Sequence, residues 1–483
     1  MKNGLLKLDP KKTYYKQLCC FLMTVFALSF FIVLLVSGGY SMRGLLYPDR
    51  SSSLMEFFNK IILSGKDPYS FGSVDPPFAI LVYRALLMLV PSKTISTLDK
   101  SPASSAFTTA VKTYQQFYFP FILYAITALT LLFFSLRALK AGKPTERFGF
   151  IFMIFLSAPM LFAFERGSDI VLTMALVTLF YAEKDSEKKA GRLVAAGALG
   201  VACAFSLYPI LFCLTLLRKK RYREVLEVGI IFTLLTVPSV FVVGGGISGA
   251  ARFVSNVVSE AKANSLALLG QLNFAKDFIY VFSGTPIPGR ILALVFNVFA
   301  GVFGLFMLAG AFLAKKEWHS VALICGVLCG LSPFCETSLL MFFAIPLAML
   351  LDEENENSVA SYVCAALLTL TQALIVSPDI SSRNYTRMFI TRLSSYSMLA
   401  LSILLTVLQA SALASTKQSK KKPRIVVAGA AAETFDLGDS GGSDDASGEK
   451  VLTENGGEAE NTEDADKPDD ADDTADKVPE NTN

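Results

Sequence analysis

Long apolar runs separated by short charged breaks fill most of this chain. Leu18 to Val36, Phe119 to Leu136, Val225 to Val243 and Ile291 to Ala314 are examples, and a helix that crosses a bilayer needs about 20 consecutive, mostly apolar residues. These runs predict transmembrane helices. The first does not read as a cleaved leader, because it continues to Ser37-Gly38-Gly39 without a small-x-small cleavage site and many further spans follow. The whole pattern predicts an all-α, polytopic transmembrane bundle of about 11 to 13 apolar segments, with no soluble domain and no tandem or inverted repeat.

Two stretches break the simple pattern. Pro76 to Val90 is apolar but short and contains Arg84, so it is expected to insert partway, leaving Phe117 to Leu136 as the second crossing. Leu193 to Leu217 is interrupted by Ser206-Leu207-Tyr208-Pro209, which predicts two half-length helices meeting at a Tyr-Pro corner.

Composition agrees with the pattern: 53% of the 483 residues are hydrophobic and the mean hydropathy is +0.49, against roughly 45–50% apolar in soluble domains. Charge changes the picture only once the chain is divided. Beyond Arg424 stand 18 acidic residues and three lysines, so the tail carries −15 and the body +18. A tail so acidic and so poor in aromatic residues cannot bury enough apolar surface to offset its ordering entropy. The expected organisation is a cytoplasmic N-terminus (1–16), a polytopic membrane domain (17–416) with a first external loop at about 38–75, a basic juxtamembrane segment (417–424) and a disordered acidic cytoplasmic tail (425–483).

Lysine and arginine collect on the cytoplasmic side of membrane proteins. Lys2, Lys7, Lys11, Lys12 and Lys16 precede the first span, and Lys417, Lys420, Lys421, Lys422 and Arg424 follow the last. Both termini are therefore expected in the cytoplasm, with Arg137 to Arg147, Arg218 to Arg223 and Lys315-Lys316 also inside. Ser41 to Phe71, Ser248 to Arg290 and Pro378 to Arg392 are expected outside. The eight cysteines lie almost entirely within or beside apolar runs, as small hydrophobes. Cys325 and Cys329 share a helix face, but the one histidine, His319, and the absence of a further ligand pair argue against a zinc site. No cofactor and no metal are expected, and neither a phosphate-binding glycine loop nor a dinucleotide fingerprint occurs at a strand-to-helix junction.

Candidate chemistry concentrates in the first external loop. Tyr47-Pro48-Asp49-Arg50, Met55-Glu56-Phe57-Phe58-Asn59, Gly65-Lys66-Asp67-Pro68-Tyr69 and Asp75-Pro76-Pro77-Phe78 follow one another. Asp49 and Glu56 are seven apart, about two helical turns, although Pro48 also fits a turn around Asp49. Either carboxylate, partly desolvated near a membrane surface, can serve as a general base, or can be an ordinary solvated loop acid. Further on, Phe164-Glu165-Arg166-Gly167-Ser168-Asp169 offers a guanidinium fork suited to a phosphate, beside a glycine that permits close backbone approach. The alternative for Arg166 is a structural pairing with Glu165 or Asp169.

This ordered series resembles the GT-C glycosyltransferases, and in particular glycosyltransferase family 87 with its polyprenol-phosphate-mannose-dependent members. The likeness rests on Glu56-Phe57-Phe58-Asn59, Gly65-x-x-Pro68-Tyr69, Asp75-Pro76-Pro77-Phe78, the Arg166-Gly167-Ser168 step and the Ser206-Leu207-Tyr208-Pro209 corner, across roughly Leu18 to Leu217. Ser332-Pro333-Phe334 extends it faintly. The chain departs from the family pattern in having Glu56 for Asp, Asp75 for the Tyr of Tyr-Pro-Pro, and Ser206 for the Lys of the Lys-x-Tyr-Pro corner.

The resemblance implies a metal-independent, inverting transfer of a hexose, with mannose the nearest model, from a polyprenyl-phosphate sugar to a lipid-linked or cell-surface glycan acceptor at the external face of the cell membrane. It implies a catalytic Glu56 with Asp49 in reserve. Arg166, Gly167, Ser168, Tyr69 and Tyr208 would hold the donor phosphate or substrate, with Arg383, Arg387 or Arg392 as further cations. The bilayer, the donor and the acceptor are the expected partners; nucleic acid is not. The competing readings are a transporter or flippase of lipid-linked intermediates, a catalytically inactive paralogue, and a scaffold that recruits a partner through its tail.

The charge distribution generates a direct test of topology. A Ser52→Cys variant is expected to react with an impermeant thiol reagent in intact cells, above the wild-type background. Labelling only after permeabilisation would overturn the assigned orientation.

Overall fold

The computed structural model of the chain describes residues 14–38, 53–96, 115–139, 144–243, 245–263, 289–331, 337–353, 358–374 and 383–421. Asp49, Ser332-Pro333-Phe334 and the tail from residue 425 lie outside them. Among the described residues every regular element is helical, as a bilayer demands: helices satisfy their own backbone hydrogen bonds where no water is present to do so.

Among the described residues four helical stretches, Lys16–Val36, Gln115–Ala138, Tyr222–Val243 and Leu393–Ala414, are long and apolar enough to cross a membrane. Glu146–Phe155 and Ala158–Arg166 make a fifth stretch bent by 45°, and seven shorter apolar helices complete the set, within the 11 to 13 segments expected. In chain order, α1 is Tyr14–Val36, α2 Met55–Ser64, α3 Pro77–Leu87, α4 Tyr118–Ala138, α5 Pro144–Phe155, α6 Ala158–Arg166, α7 Ile170–Glu183 and α8 Lys189–Phe205. Then follow α9 Cys213–Arg218, α10 Tyr222–Val243, α11 Gly246–Ala263, α12 Gly289–Leu313, α13 Glu317–Leu331, α14 Ala344–Asp352, α15 Val359–Thr371 and α16 Arg383–Lys421.

α3 has 11 residues, about 16 Å at 1.5 Å per residue, too short for a hydrocarbon core of about 30 Å. The Tyr-Pro corner differs from the expected symmetrical one. α8 runs 17 residues to Phe205, Ser206 is extended, and Tyr208–Phe212 forms a tight 3-10 turn that leads into the six-residue α9. Pro209, with no amide hydrogen to donate, enters at the start of this turn, where none is needed.

The outer helices expose apolar side chains: Phe21, Leu28 and Leu35 on α1, Leu226, Leu234 and Phe241 on α10, and Leu305 and Phe306 on α12. In water such a surface would drive aggregation; in lipid it is the solvated face. The protein interior is instead built around Thr337–Phe343 and α14, where Leu339 to Leu351 are almost wholly buried. Cys325 and Cys329 face this segment, their thiols donating to the carbonyls of Phe342 (3.5 Å) and Leu339 (3.2 Å). Small residues permit the tightest approaches. A Cβ on Gly200 would stand 2.8 Å from Ile231 Cγ2, so α8 and α10 meet in near backbone contact.

An ion-pair network ties three interhelical connections together at the end of the bundle that carries Arg218 to Arg223. Lys184, almost fully buried, contacts Asp185 and lies 2.6 Å from Glu317. Lys219 reaches Asp185 (3.1 Å) and Glu317 (2.9 Å), and Arg221 reaches Asp185 (2.8 Å) and Glu224 (2.6 Å). Partial burial alone would raise the Asp185 carboxyl, but Lys184 and Lys219 outweigh it and hold the group at about 2, from an ordinary 3.8. A depressed folded-state value adds stability above the unfolded value of about 4, and that stability is lost as pH falls through the folded one. Thermal unfolding in detergent micelles is accordingly expected at lower temperature as pH falls from 5 to 2, and Asp185→Asn is expected to flatten that dependence. An unchanged pH profile in the variant would mean that the network contributes nothing to stability.

Candidate active site

The site begins with a close approach of backbones. α6 ends at Arg166, and Gly167 follows with φ 66°, a left-handed conformation that glycine adopts without steric cost. Gly167 N–H donates to Phe164 O (3.1 Å) and Ser168 N–H to Ala163 O (2.9 Å), closing the helix in a Schellman motif. A Cβ on Gly167 would lie 2.8 Å from Phe57 Cβ and 3.5 Å from Phe57 N. The bare turn therefore seats the first turn of α2. Leu54, itself at φ 55°, donates its amide to Glu165 O at 2.6 Å and fastens the entry to α2 onto the same turn.

α2 is amphipathic. Phe57, Phe58, Ile61 and Ile62 are buried, packed with Tyr83, Phe121 and Tyr124 in an aromatic cluster whose ring centroids lie 5.2–5.7 Å from that of Phe57. Glu56 and Lys60, one turn apart, share the remaining face. Glu56 Oε1 accepts directly from Arg166 Nε. Lys60 Nζ lies 3.0 Å from Asp75 and 2.8 Å from Asp169, with the Tyr83 ring centroid 6.0 Å away. Five charged side chains from three separated segments thus converge, each with 11–29% of its side chain exposed.

Burial alone would lower the pKa of Lys60, but the carboxylates of Asp169 and Asp75 overcome it and keep the amine protonated, well above its ordinary range. Burial pushes the Asp169 carboxyl upward against the pull of Lys60. The Tyr69 phenol is also raised, by burial first and then by Asp75 and Asp67.

The residues expected from sequence assemble here to different degrees. Glu56, Arg166 and Gly167 meet directly. Ser168 is buried in the same turn. Tyr69 packs instead against Ile80, Val243 and Phe253, and touches the cluster through its hydroxyl, which donates to Asp75 O at 3.3 Å. Tyr208 is half-buried with its ring against Phe342 (centroids 5.8 Å apart); the Thr173 hydroxyl donates to the backbone carbonyl of Asp169 (3.1 Å) and lies 3.2 Å from the Ser206 hydroxyl. Ser206, where the resemblance expected lysine, is thus hydrogen-bonded to Thr173, whose own proton goes to the backbone carbonyl of Asp169 and not to its carboxylate. Sequence reasoning did not anticipate Lys60 or the functional place of Asp75 and Asp169. The i, i+4 spacing of Glu56 and Lys60 was the available signal; the pairing of residue 60 with residue 169 was not in it. Among the described residues no group of three or more His, Cys, Asp or Glu side chains is arranged to hold a metal ion.

Because Gly167 joins α6 to α2, Gly167→Ala is expected to cost about 1–2 kcal/mol for the left-handed backbone alone, with a further loss from the displaced Phe57. Thermal unfolding of the purified variant measures this. Wild-type stability together with wild-type activity would show that the close approach does not organise the site.

The comparisons with known proteins follow the same division of the chain. The model of glycosyltransferase family 87 matches residues 102–333, a stretch that contains Arg166, Gly167, Ser168 and Tyr208 and begins after Glu56 and Tyr69. No curated protein and no solved structure matches. With its bundle of membrane helices and its Arg-Gly turn inside the matched stretch, the chain is similar to the membrane glycosyltransferases of family 87, and glycosyl transfer is the activity that this similarity supports.

Proposed function

We propose that the protein transfers a hexose, mannose being the leading candidate, from a polyprenyl-phosphate donor to a lipid-linked or glycan acceptor at the external membrane face. The observation that carries this reading is the direct contact between Glu56 and Arg166 beside the Lys60–Asp75–Asp169 cluster. It sets a carboxylate next to a guanidinium at a partly open, aromatic-walled site, the two groups that a displacement at an anomeric carbon needs.

In the proposed reaction the acceptor hydroxyl gives its proton to the Glu56 carboxylate as its oxygen bonds to the anomeric carbon. The bond from that carbon to the donor phosphate oxygen breaks on the opposite face, inverting the centre. The phosphate leaves with one more negative charge, which Arg166 is placed to balance through its fork of donors. Before the donor arrives, Arg166 occupies one oxygen of the Glu56 carboxylate. A phosphate competing for the guanidinium releases the carboxylate when it is needed. Lys60, held protonated between Asp75 and Asp169, fixes those two carboxylates beside the Glu56–Arg166 pair.

Glu56→Gln keeps the shape and removes the base, so turnover in reconstituted membranes is expected to fall by about 10²–10⁴, while insertion and unfolding temperature stay near wild type. Glu56→Asp should retain measurable activity, and Asp49→Asn should cost less than Glu56→Gln. Full turnover in Glu56→Gln with none in Asp49→Asn would move the base to Asp49. Indifference to both in a well-inserted protein would refute the transferase reading and favour the flippase, for which accumulated complete lipid-linked precursor in a deletion strain is the signature.

A further inference from the structure

α11 carries a second surface that the transfer chemistry does not use. The helix follows directly on α10 and packs one side on the first loop. Arg252 pairs with Asp67 at 2.7 Å. Asn256 donates to the carbonyls of Tyr69 (2.9 Å) and Ser73 (3.1 Å). Phe253 meets the Tyr69 ring with centroids 5.5 Å apart. The end of α10 is fixed to the same loop, since Arg84 donates to Val242 O (2.8 Å) and Val243 O (2.9 Å) as well as to Ser64 O (2.7 Å).

The rest of the helix surface divides into two strips. Ile247, Val254 and Val258 stand at i, i+7 and i+11, on one line of the helix, and are 81%, 58% and 45% exposed. Beside them run Ser248, Ser255 and Ser259, also exposed. A helix with one docked face, one apolar strip and one polar strip suits a boundary between two solvents. The apolar strip is not isolated, because Phe241 (64% exposed) and Val242 (56%) at the end of α10 continue the lipid-facing surface of that spanning helix up to Ile247.

The geometry points to α11 as an in-plane membrane helix: its Ile247–Val254–Val258 strip lies in the lipid interface on the side that holds the Glu56–Arg166 site, and its inner face clamps the loop carrying Tyr69 and Asp75. The partner of this surface is the bilayer itself. Interfacial helices bind with a shallowly buried apolar strip and a polar strip left in water, and α11 has both. Through Asn256 and Phe253 the seating of the helix in lipid bears on Tyr69, whose hydroxyl holds Asp75 O, and Asp75 in turn holds Lys60. The wall of the site nearest α11 is therefore continuous with the membrane surface, and an amphiphilic substrate can approach along it.

Tryptophan fluorescence in nanodiscs tests the placement on the full-length chain. The single native tryptophan, Trp318, is 2% exposed and gives a constant background. Val254→Trp and Val258→Trp are expected to emit at shorter wavelength and to lose most of their added emission when the lipids carry brominated acyl chains. Ser259→Trp on the polar strip is expected to keep its emission in brominated lipid and to be quenched by iodide. Two positions on the apolar strip guard against a single variant that folds poorly. Iodide access at residues 254 and 258 equal to that at 259 would put the strip in water. Protection there from both quenchers would mean that another protein chain, or a second copy of this one, covers it. Either outcome overturns the assignment.

Discussion

The candidate site depends on a missing atom at Gly167. Because that residue has no Cβ and turns left-handed, the end of α6 and the start of α2 approach to a distance that no other residue allows. Every charged contact at the site is downstream of this approach. It aligns Glu56 with Arg166 across 110 residues of sequence and, one turn further along α2, directs Lys60 at Asp169. The buried aromatic side of α2 then fixes its rotation, so that the polar side has one direction in which to face.

The second constraint is electrostatic. A half-buried cluster of two cations and three carboxylates would be costly if any member were unpaired, since desolvation penalises each charge by several kcal/mol. The pairings answer that cost: Lys60 lies between two acids and Arg166 contacts Glu56. In the proposed reaction the same arrangement is responsive, because a phosphate entering the site competes with carboxylates already held near guanidinium and amine. A network of similar composition around Lys184, whose amine also lies against an aromatic ring (Tyr181, 5.6 Å to the centroid), bridges three interhelical connections instead. Composition alone does not distinguish a site from a strut; the surroundings do.

The membrane supplies the third constraint. Spanning helices with small residues at their crossings and apolar residues outward form a rigid frame, whereas the site is built from short pieces, α2, α3 and the turn after α6, that do not span. Those pieces lack the length to be fixed by the bilayer. They are held instead by specific contacts, such as Arg84 to the carbonyls of Ser64, Val242 and Val243, and Leu54 to Glu165. Catalytic geometry resting on such contacts can be well defined while its elements remain short.

The helical membrane class, the apolar segments, the shortness of α3 and the break near Tyr208 were all legible in the residues, because each follows from local length and hydropathy against a bilayer of fixed thickness. Glu56, Arg166, Gly167 and Tyr208 also stood out there, through an order of motifs that resembles one family. Which charges meet was settled only by the assembled fold. Lys60 is ordinary at its own position, Asp75 and Asp169 stood out there without their common partner, and the unequal limbs around Ser206 depend on packing against neighbouring helices. An ion pair between residues 60 and 169 has no local signature: its energy comes from the low-dielectric pocket that the fold creates, and that pocket does not exist until the two segments have already been brought together.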